Sequence, residues 1–188
     1  MINYMINRFI RKTHLLPSKL ERGVWHDTDT KLLHCSFEGL VDYVEQECAW
    51  VYCYTDERRK LYGHPKWKRF RPNWRSAEAG LAYLQWESEL CEDGELTDQA
   101  KFAQNFITLY NWWKNRDKRP DPWSLTDPVY AKIEAAGYNL FSLPESEVEL
   151  NKELREASKR AWDTEFQYRT EDKEMLLMLV ENMEGMWT

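Results

Sequence analysis

From Thr30 to Cys53 one helical face stays apolar for several turns, and this stretch constrains the fold more than any other. Leu33, Phe37, Leu40, Val41, Val44, Cys48 and Val51 recur mostly at the three- and four-residue steps that return side chains to one side of an α-helix. A helix this long must bury its apolar side against other elements, which predicts a central spine. Asp27, Thr28 and Asp29 just ahead of it supply an N-cap and an acidic first turn. No stretch alternates apolar and polar residues long enough to demand a sheet. Seven glycines and seven prolines leave little material for a many-turned β architecture. The expected class is mainly α, an irregular bundle of about five to seven helices with helix in more than about half of the residues.

The remaining helices follow from caps and periodicity. Ser76 caps a third helix in which Ala77, Gly80, Leu81, Leu84, Ser88 and Cys91 share a side, and Glu92-Asp93-Gly94 ends it. Its small residues Ala77, Ala79, Gly80 and Ala82 would let another helix approach closely. Thr97 and Asp98 open a fourth, with Ala100, Ala103, Phe106, Ile107, Tyr110 and Trp113 on its apolar side. Asp127 and Pro128 read as N-cap and first residue of a short helix stopping at Gly137. After Pro144, Val148, Leu150, Leu154, Ala157 and Ala161 suggest a weakly apolar helix. Thr170 restarts it, leading to a stripe of Met175, Leu176, Leu179, Val180 and Met183. The chain is therefore expected to divide into an aromatic-rich helical body, 1–143, and a charged C-terminal helical segment, 144–188. That segment packs on the body or on another copy, and the oligomeric state stays open. At the N-terminus Ile2, Met5, Ile6, Phe9 and Ile10 predict a docked amphipathic helix.

Charge and aromatic residues mark the candidate surfaces. The chain has ten tryptophans in 188 residues, and Trp favours cores with one wet edge, interfaces and stacking platforms. Between Arg58 and Arg75 there are eight cations and no acid. Taking them from the net charge of -6 leaves the remainder at -14, so the field is strongly local. Gly63, Pro65 and Pro72 predict an ordered loop or short turns here rather than a helix. Within it, Arg58, Arg59, Lys66, Trp67, Lys68, Arg69, Arg71, Trp74 and Arg75 are candidate binding residues, with Tyr62 and His64 beside them. Cations and flat rings together suit a phosphate backbone with exposed bases, or a nucleotide. They equally suit a protein interface, where aromatics and Arg anchor. The third reading folds Trp67, Phe70 and Trp74 inward as core. A second cluster adds Trp112, Arg116 and Arg119 as candidates, with Trp113 assigned to the core and Lys114 and Arg116 complementing the helix dipole.

Catalytic and metal chemistry find little purchase. His34, Glu38, Asp42 and Glu45 fall along one helical stripe, with His26, Asp27 and Asp29 nearby. Bundle di-metal sites use Glu-x-x-His, which occurs nowhere in the chain. The stripe therefore reads as a solvated or hydrogen-bonded flank, and an enzyme built on it is the third alternative. GxSxG, P-loop and GxGxxG motifs and zinc-type Cys/His spacing are all missing. No catalytic residue, metal or cofactor is expected. Cys35, Cys48, Cys53 and Cys91 form no CxxC pair and, without a signal peptide, predict reduced thiols and an intracellular protein. No apolar run approaches a membrane span.

Three stretches carry a family likeness: VWHDTDTKLLHCSFEGLVDYVE (Val24–Glu45), SAEAGLAYLQWE (Ser76–Glu87) and LYNWWKNRDKRPDP (Leu109–Pro122). Over roughly residues 20–122 the chain resembles a set of uncharacterised proteins encoded by tailed bacteriophages. The resemblance implies a viral protein in the cytoplasm of an infected bacterium and leaves a place in the virion open. It carries over no catalytic residue. The functional expectation is a non-catalytic phage protein that binds another macromolecule. A host or phage protein is the favoured partner, nucleic acid or nucleotide the alternative, and no membrane is involved.

Overall fold

The computed structural model describes residues 18–21, 23–65, 74–139 and 143–186. The expected N-terminal helix and the candidates Lys66, Trp67, Lys68, Arg69 and Arg71, with Phe70, lie outside these residues. Helices take 72% of the described residues, against one two-stranded ribbon. The fold is mainly α, well above the half expected.

The spine is present. Helix α1, Thr28–Asp42, continues through a π-helical stretch, Tyr43–Cys48, into α2, Ala49–Tyr52, with helical dihedrals at both junctions. Phe37, Leu40, Val41, Val44 and Cys48 are fully buried, whereas Val51, expected on the same face, is exposed. The π insertion shifts the facing of everything after it, which takes Val51 off the apolar line.

Helix α4, Ala77–Glu87, explains where that insertion sits. Its Gly80 lies so close to the spine that a Cβ there would meet the Val44 carbonyl oxygen at 2.0 Å. The wider π register also frees the Glu45 carbonyl, which accepts the Ser76 N–H at 2.9 Å. The Ser76 hydroxyl in turn accepts from the Ala79 N–H, capping α4 as expected. The buried side of α4 is Ala79, Gly80, Tyr83, Leu84 and Glu87, rather than the side through Ala77, Leu81 and Ser88.

Between Asp56 and Leu61 runs a short helix, α3. Helix α4 stops at Glu87, short of Cys91, and a hairpin follows: β1, Cys91–Glu92, pairs antiparallel with β2, Glu95–Leu96. Asp93 and Gly94 both have positive φ, 52° and 87°, the turn geometry that Asp-Gly favours. Thr97 then caps α5, Asp98–Arg116, by accepting the Ala100 N–H at 3.1 Å. Phe106 and Leu109 of α5 are fully buried, and Trp113 stacks on Phe37 with ring centroids 4.9 Å apart.

Two compact units emerge. The first holds the described residues up to Asn115 together with those from Met175 onward; the second is Arg116–Glu174. In the second, a 3-10 turn, Pro122–Thr126, leads into α6, Asp127–Ala135, so the helix proper begins at Asp127 with Thr126 at its N-cap. Gly137, with φ +82°, ends it: the Tyr138 N–H reaches back to the Ile133 carbonyl and the Gly137 N–H to that of Glu134. Val129 and Ile133 bury against Ala157, with Leu150 and Leu154 alongside.

Residues Val148–Glu181 form one helix, α7, without the expected restart at Thr170. The Thr170 hydroxyl donates to the Phe166 carbonyl at 2.9 Å, an intrahelical bond that removes the reason to break. Its last turns, from Met175, belong to the first unit's core through Leu179, and the Tyr43 hydroxyl donates to the Gly185 carbonyl just beyond, at 3.3 Å.

Candidate interaction surface

The basic segment opens with helix rather than loop. Thr55 caps α3 by accepting the Arg58 N–H, Asp56 and Glu57 occupy its first turn, and Arg58, Arg59 and Lys60 its last. Acids at the start and cations at the end both suit the helix dipole. Gly63, with φ +66°, closes it: the His64 N–H bonds the Arg59 carbonyl at 2.9 Å and the Gly63 N–H that of Lys60. Glycine takes that φ at no steric cost. The glycine that suggested a loop therefore ends a helix.

No residue of α3 is buried, so the element stands on the surface. Around it, Tyr54 is 86% and Leu61 75% exposed, with Val51 also open to solvent. Arg58 lies over the Tyr52 ring at 4.1 Å, a cation–π contact that fixes its guanidinium. Arg59 turns back to Asp56 at 2.9 Å and donates to the Tyr54 carbonyl. Beneath these, Trp50, His64 and Trp74 pack ring against ring, with centroids 4.0 and 4.4 Å apart. Trp74 is half-buried against Ala49, Cys53 and Ala79, so it folds inward.

The other candidates are held within the chain. Arg75 pairs with Asp42 and lies 3.9 Å from Glu45. Trp112 tilts against Phe37 at the edge of the core. In the second unit Arg116 grips Asp172 through two nitrogens at 3.1 and 2.7 Å, and Arg119 bonds both Asp172 and Glu171. Burial works against the Asp172 charge, but hydrogen bonds and charge from Arg116 and Arg119 outweigh it and hold the carboxyl below its usual value. A depressed folded pKa contributes stability that is present above the unfolded value, near 3.9, and lost as pH falls through the folded one. Urea melts should therefore show Asp172→Asn less stable than the parent at pH 7, with the gap narrowing as pH drops below about 4.

The acidic stripe is likewise engaged: of the expected solvated or hydrogen-bonded flank, it is the hydrogen-bonded form. Glu38 is buried, accepting from the Trp113 indole N–H at 3.2 Å and pairing with Lys19 at 3.0 Å. Glu45 accepts from the Tyr110 hydroxyl at 2.9 Å and the Lys114 ammonium at 2.6 Å. Burial, then the Glu45 carboxylate, raises the Tyr110 pKa. Among the described residues no group of three or more His, Cys, Asp or Glu is arranged to hold a metal ion. Nor, among them, is any helix long and apolar enough to cross a membrane.

Sequence reasoning missed two features. Tyr54 and Leu61 stand among charges that mask them in the sequence; their signal is that neither continues the apolar face of the spine. A buried polar cluster also escaped notice: Glu87 accepts from the Tyr83 hydroxyl at 3.1 Å and from the Gln99 amide. Beside it, burial pushes the Cys48 thiol up to about 12. At pH 8 native protein should therefore react with a soluble thiol reagent quickly at exposed Cys91, and at buried Cys48 and Cys53 only on unfolding. Mass spectrometry of the labelled peptides checks this. Comparison with protein-family models, curated proteins and solved structures finds no match to this chain.

Proposed function

We propose that the chain is a non-catalytic protein that works by binding another macromolecule, with a protein partner docking at α2–α3. The observation that carries this is the pair Tyr54 and Leu61, large apolar side chains mostly in water on an element whose Arg58 guanidinium is held over Tyr52. Such a surface gains from desolvation by a partner, and an aromatic with a neighbouring Arg is the usual composition of an interface anchor. Arg59 and Arg75, committed to Asp56 and Asp42, add less to a phosphate-binding field. The sequence resemblance makes the partner a host protein or another phage component, met in the cytoplasm of the infected bacterium.

Nucleic acid or nucleotide is the second reading. It draws support from Arg58 held over Tyr52 just ahead of four further cations, Lys66 to Arg71. The enzyme reading gains no support, because Glu38, Asp42 and Glu45 of its stripe are taken up by Lys19, Trp113, Arg75, Tyr110 and Lys114. Affinity purification from infected cells, with and without nuclease and with protein and nucleic acid both identified, tests the proposal. A defined protein retained after nuclease treatment is the expected result. Recovery of nucleic acid, with any protein lost on digestion and the nucleic acid itself lost when Lys66, Lys68, Arg69 and Arg71 are replaced by Ala, would replace the first reading by the second.

A further inference from the structure

Helix α7 carries a second surface that the sequence reading left aside. Within the second unit, Lys152, Arg155, Lys159, Trp162, Phe166, Arg169 and Lys173 are all exposed, Trp162 to 59% and Phe166 to 72%. At about 100° per residue they fall within an arc of about 100°, spanning roughly 32 Å of helix axis from Lys152 to Lys173. That arc holds five cations and no carboxylate over these residues. Glu156 and Asp163 border it on one side and Glu165 on the other, and Glu165 pairs with Arg169 at 2.6 Å. The opposite side, through Leu150, Leu154, Ala157 and Ala161, faces inward.

The order along the line is three cations, two aromatics, two cations. Trp162 is set in place, since Trp123 meets it edge-on at 5.2 Å and the Trp123 indole N–H is itself anchored on Glu165 at 3.2 Å. A membrane-lying helix would bear its cations on the flanks of an apolar midline. Here cations share the midline with the rings, and lipid contact would bury them. A protein interface concentrates its apolar area in a continuous patch that excludes water. Two rings between charged stretches supply little of that. A single nucleic-acid strand needs just this combination: cations tracking phosphates on either side of flat rings on which successive bases stack. Rings four residues apart on a helix stand about 5–6 Å apart, within reach of neighbouring bases of an extended strand.

We propose that this face of α7 binds single-stranded nucleic acid, without marked sequence preference, independently of the α2–α3 surface. The test is fluorescence anisotropy of a labelled oligothymidylate of about 20 nucleotides across a salt series, using full-length protein. Affinity is expected to fall steeply with salt. The triple charge reversal Arg155→Glu, Lys159→Glu, Lys173→Glu and the pair Trp162→Ala, Phe166→Ala should each weaken binding about tenfold or more. Circular dichroism melts confirm that the variants fold, and Phe166→Ala alone, which leaves the Trp123–Trp162 contact in place, should still weaken binding measurably. Replacing Lys66, Lys68, Arg69 and Arg71 by Ala should leave most of the affinity. No binding at low salt, loss with the four-alanine variant but not the α7 variants, or preference for anionic vesicles over the oligonucleotide would overturn the proposal. The Tyr54 and Leu61 surface plays no part in this measurement, so either assignment can fail alone.

Discussion

Gly80→Ala is expected to destabilise the protein, although in a typical helix interior the same change would help by about 1 kcal/mol. The added methyl would lie 2.0 Å from the Val44 carbonyl oxygen and 2.8 Å from its carbon. Both are backbone atoms of the spine, so no side chain can swing away to make room. Overpacking of this kind costs about 1–3 kcal/mol, and with rigid backbone on both sides the upper end applies. After the propensity gain, a net loss of about 2 kcal/mol remains, or roughly 4–8 °C in Tm for a protein of this size. Gly39→Ala is the control. It sits in α1 with nothing within 4 Å of a new Cβ, so it should stabilise by up to about 1 kcal/mol. Opposite signs from two glycines of one protein would be hard to obtain unless α4 rests on the π-helical stretch.

Trp113→Ala should cost more, about 3–5 kcal/mol, as befits a large buried aromatic. Trp113 stacks on Phe37 and meets His34 edge-on at 4.9 Å, and its indole N–H is a donor to buried Glu38. Truncation leaves a cavity and takes that bond from a carboxylate shielded from water. Trp113→Phe narrows the comparison: it keeps an aromatic ring against Phe37 while losing the donor and part of the indole volume, and should cost less than Trp113→Ala. The same truncation at half-buried Trp112 should cost less than at Trp113. Chemical denaturation of the three variants beside the parent measures all of this.

The spine was legible because a run of apolar residues in helical register calls for burial, and six of the seven, all but Val51, are buried. Close approach at α4 was legible from its small residues, since Gly and Ala leave room for a neighbouring backbone. What that approach does to the spine was not. The π insertion at Tyr43–Cys48 answers to Gly80 and Ser76, more than 25 residues on, and local periodicity carries no trace of it. The hairpin at Cys91–Leu96 had a local signal in Asp93-Gly94, which reads equally as a helix end when its strands are two residues long. Among the candidate residues, clusters of charge were visible but their partners were not. Arg116 and Asp172 lie 56 residues apart, and only the fold brings them together. Exposure of Tyr54, and the gathering of cations and rings along one line of α7, likewise depend on which side of each helix the core claims.

The central claim is that Tyr54 and Leu61 serve a partner rather than the fold. Substituting both with Ser removes the exposed apolar surface while leaving the core, the α3 caps and the Arg58–Tyr52 contact untouched. Thermal melts and quantitative affinity purification of this variant beside the parent, from the same cells, decide the matter. Surface changes of this kind usually shift stability by no more than about 0.5 kcal/mol. The account predicts an essentially unchanged melt with recovery of the partner reduced by about tenfold or more, as for an anchor worth at least 1.4 kcal/mol. Full recovery of the partner, or a collapse of the melt, would contradict it.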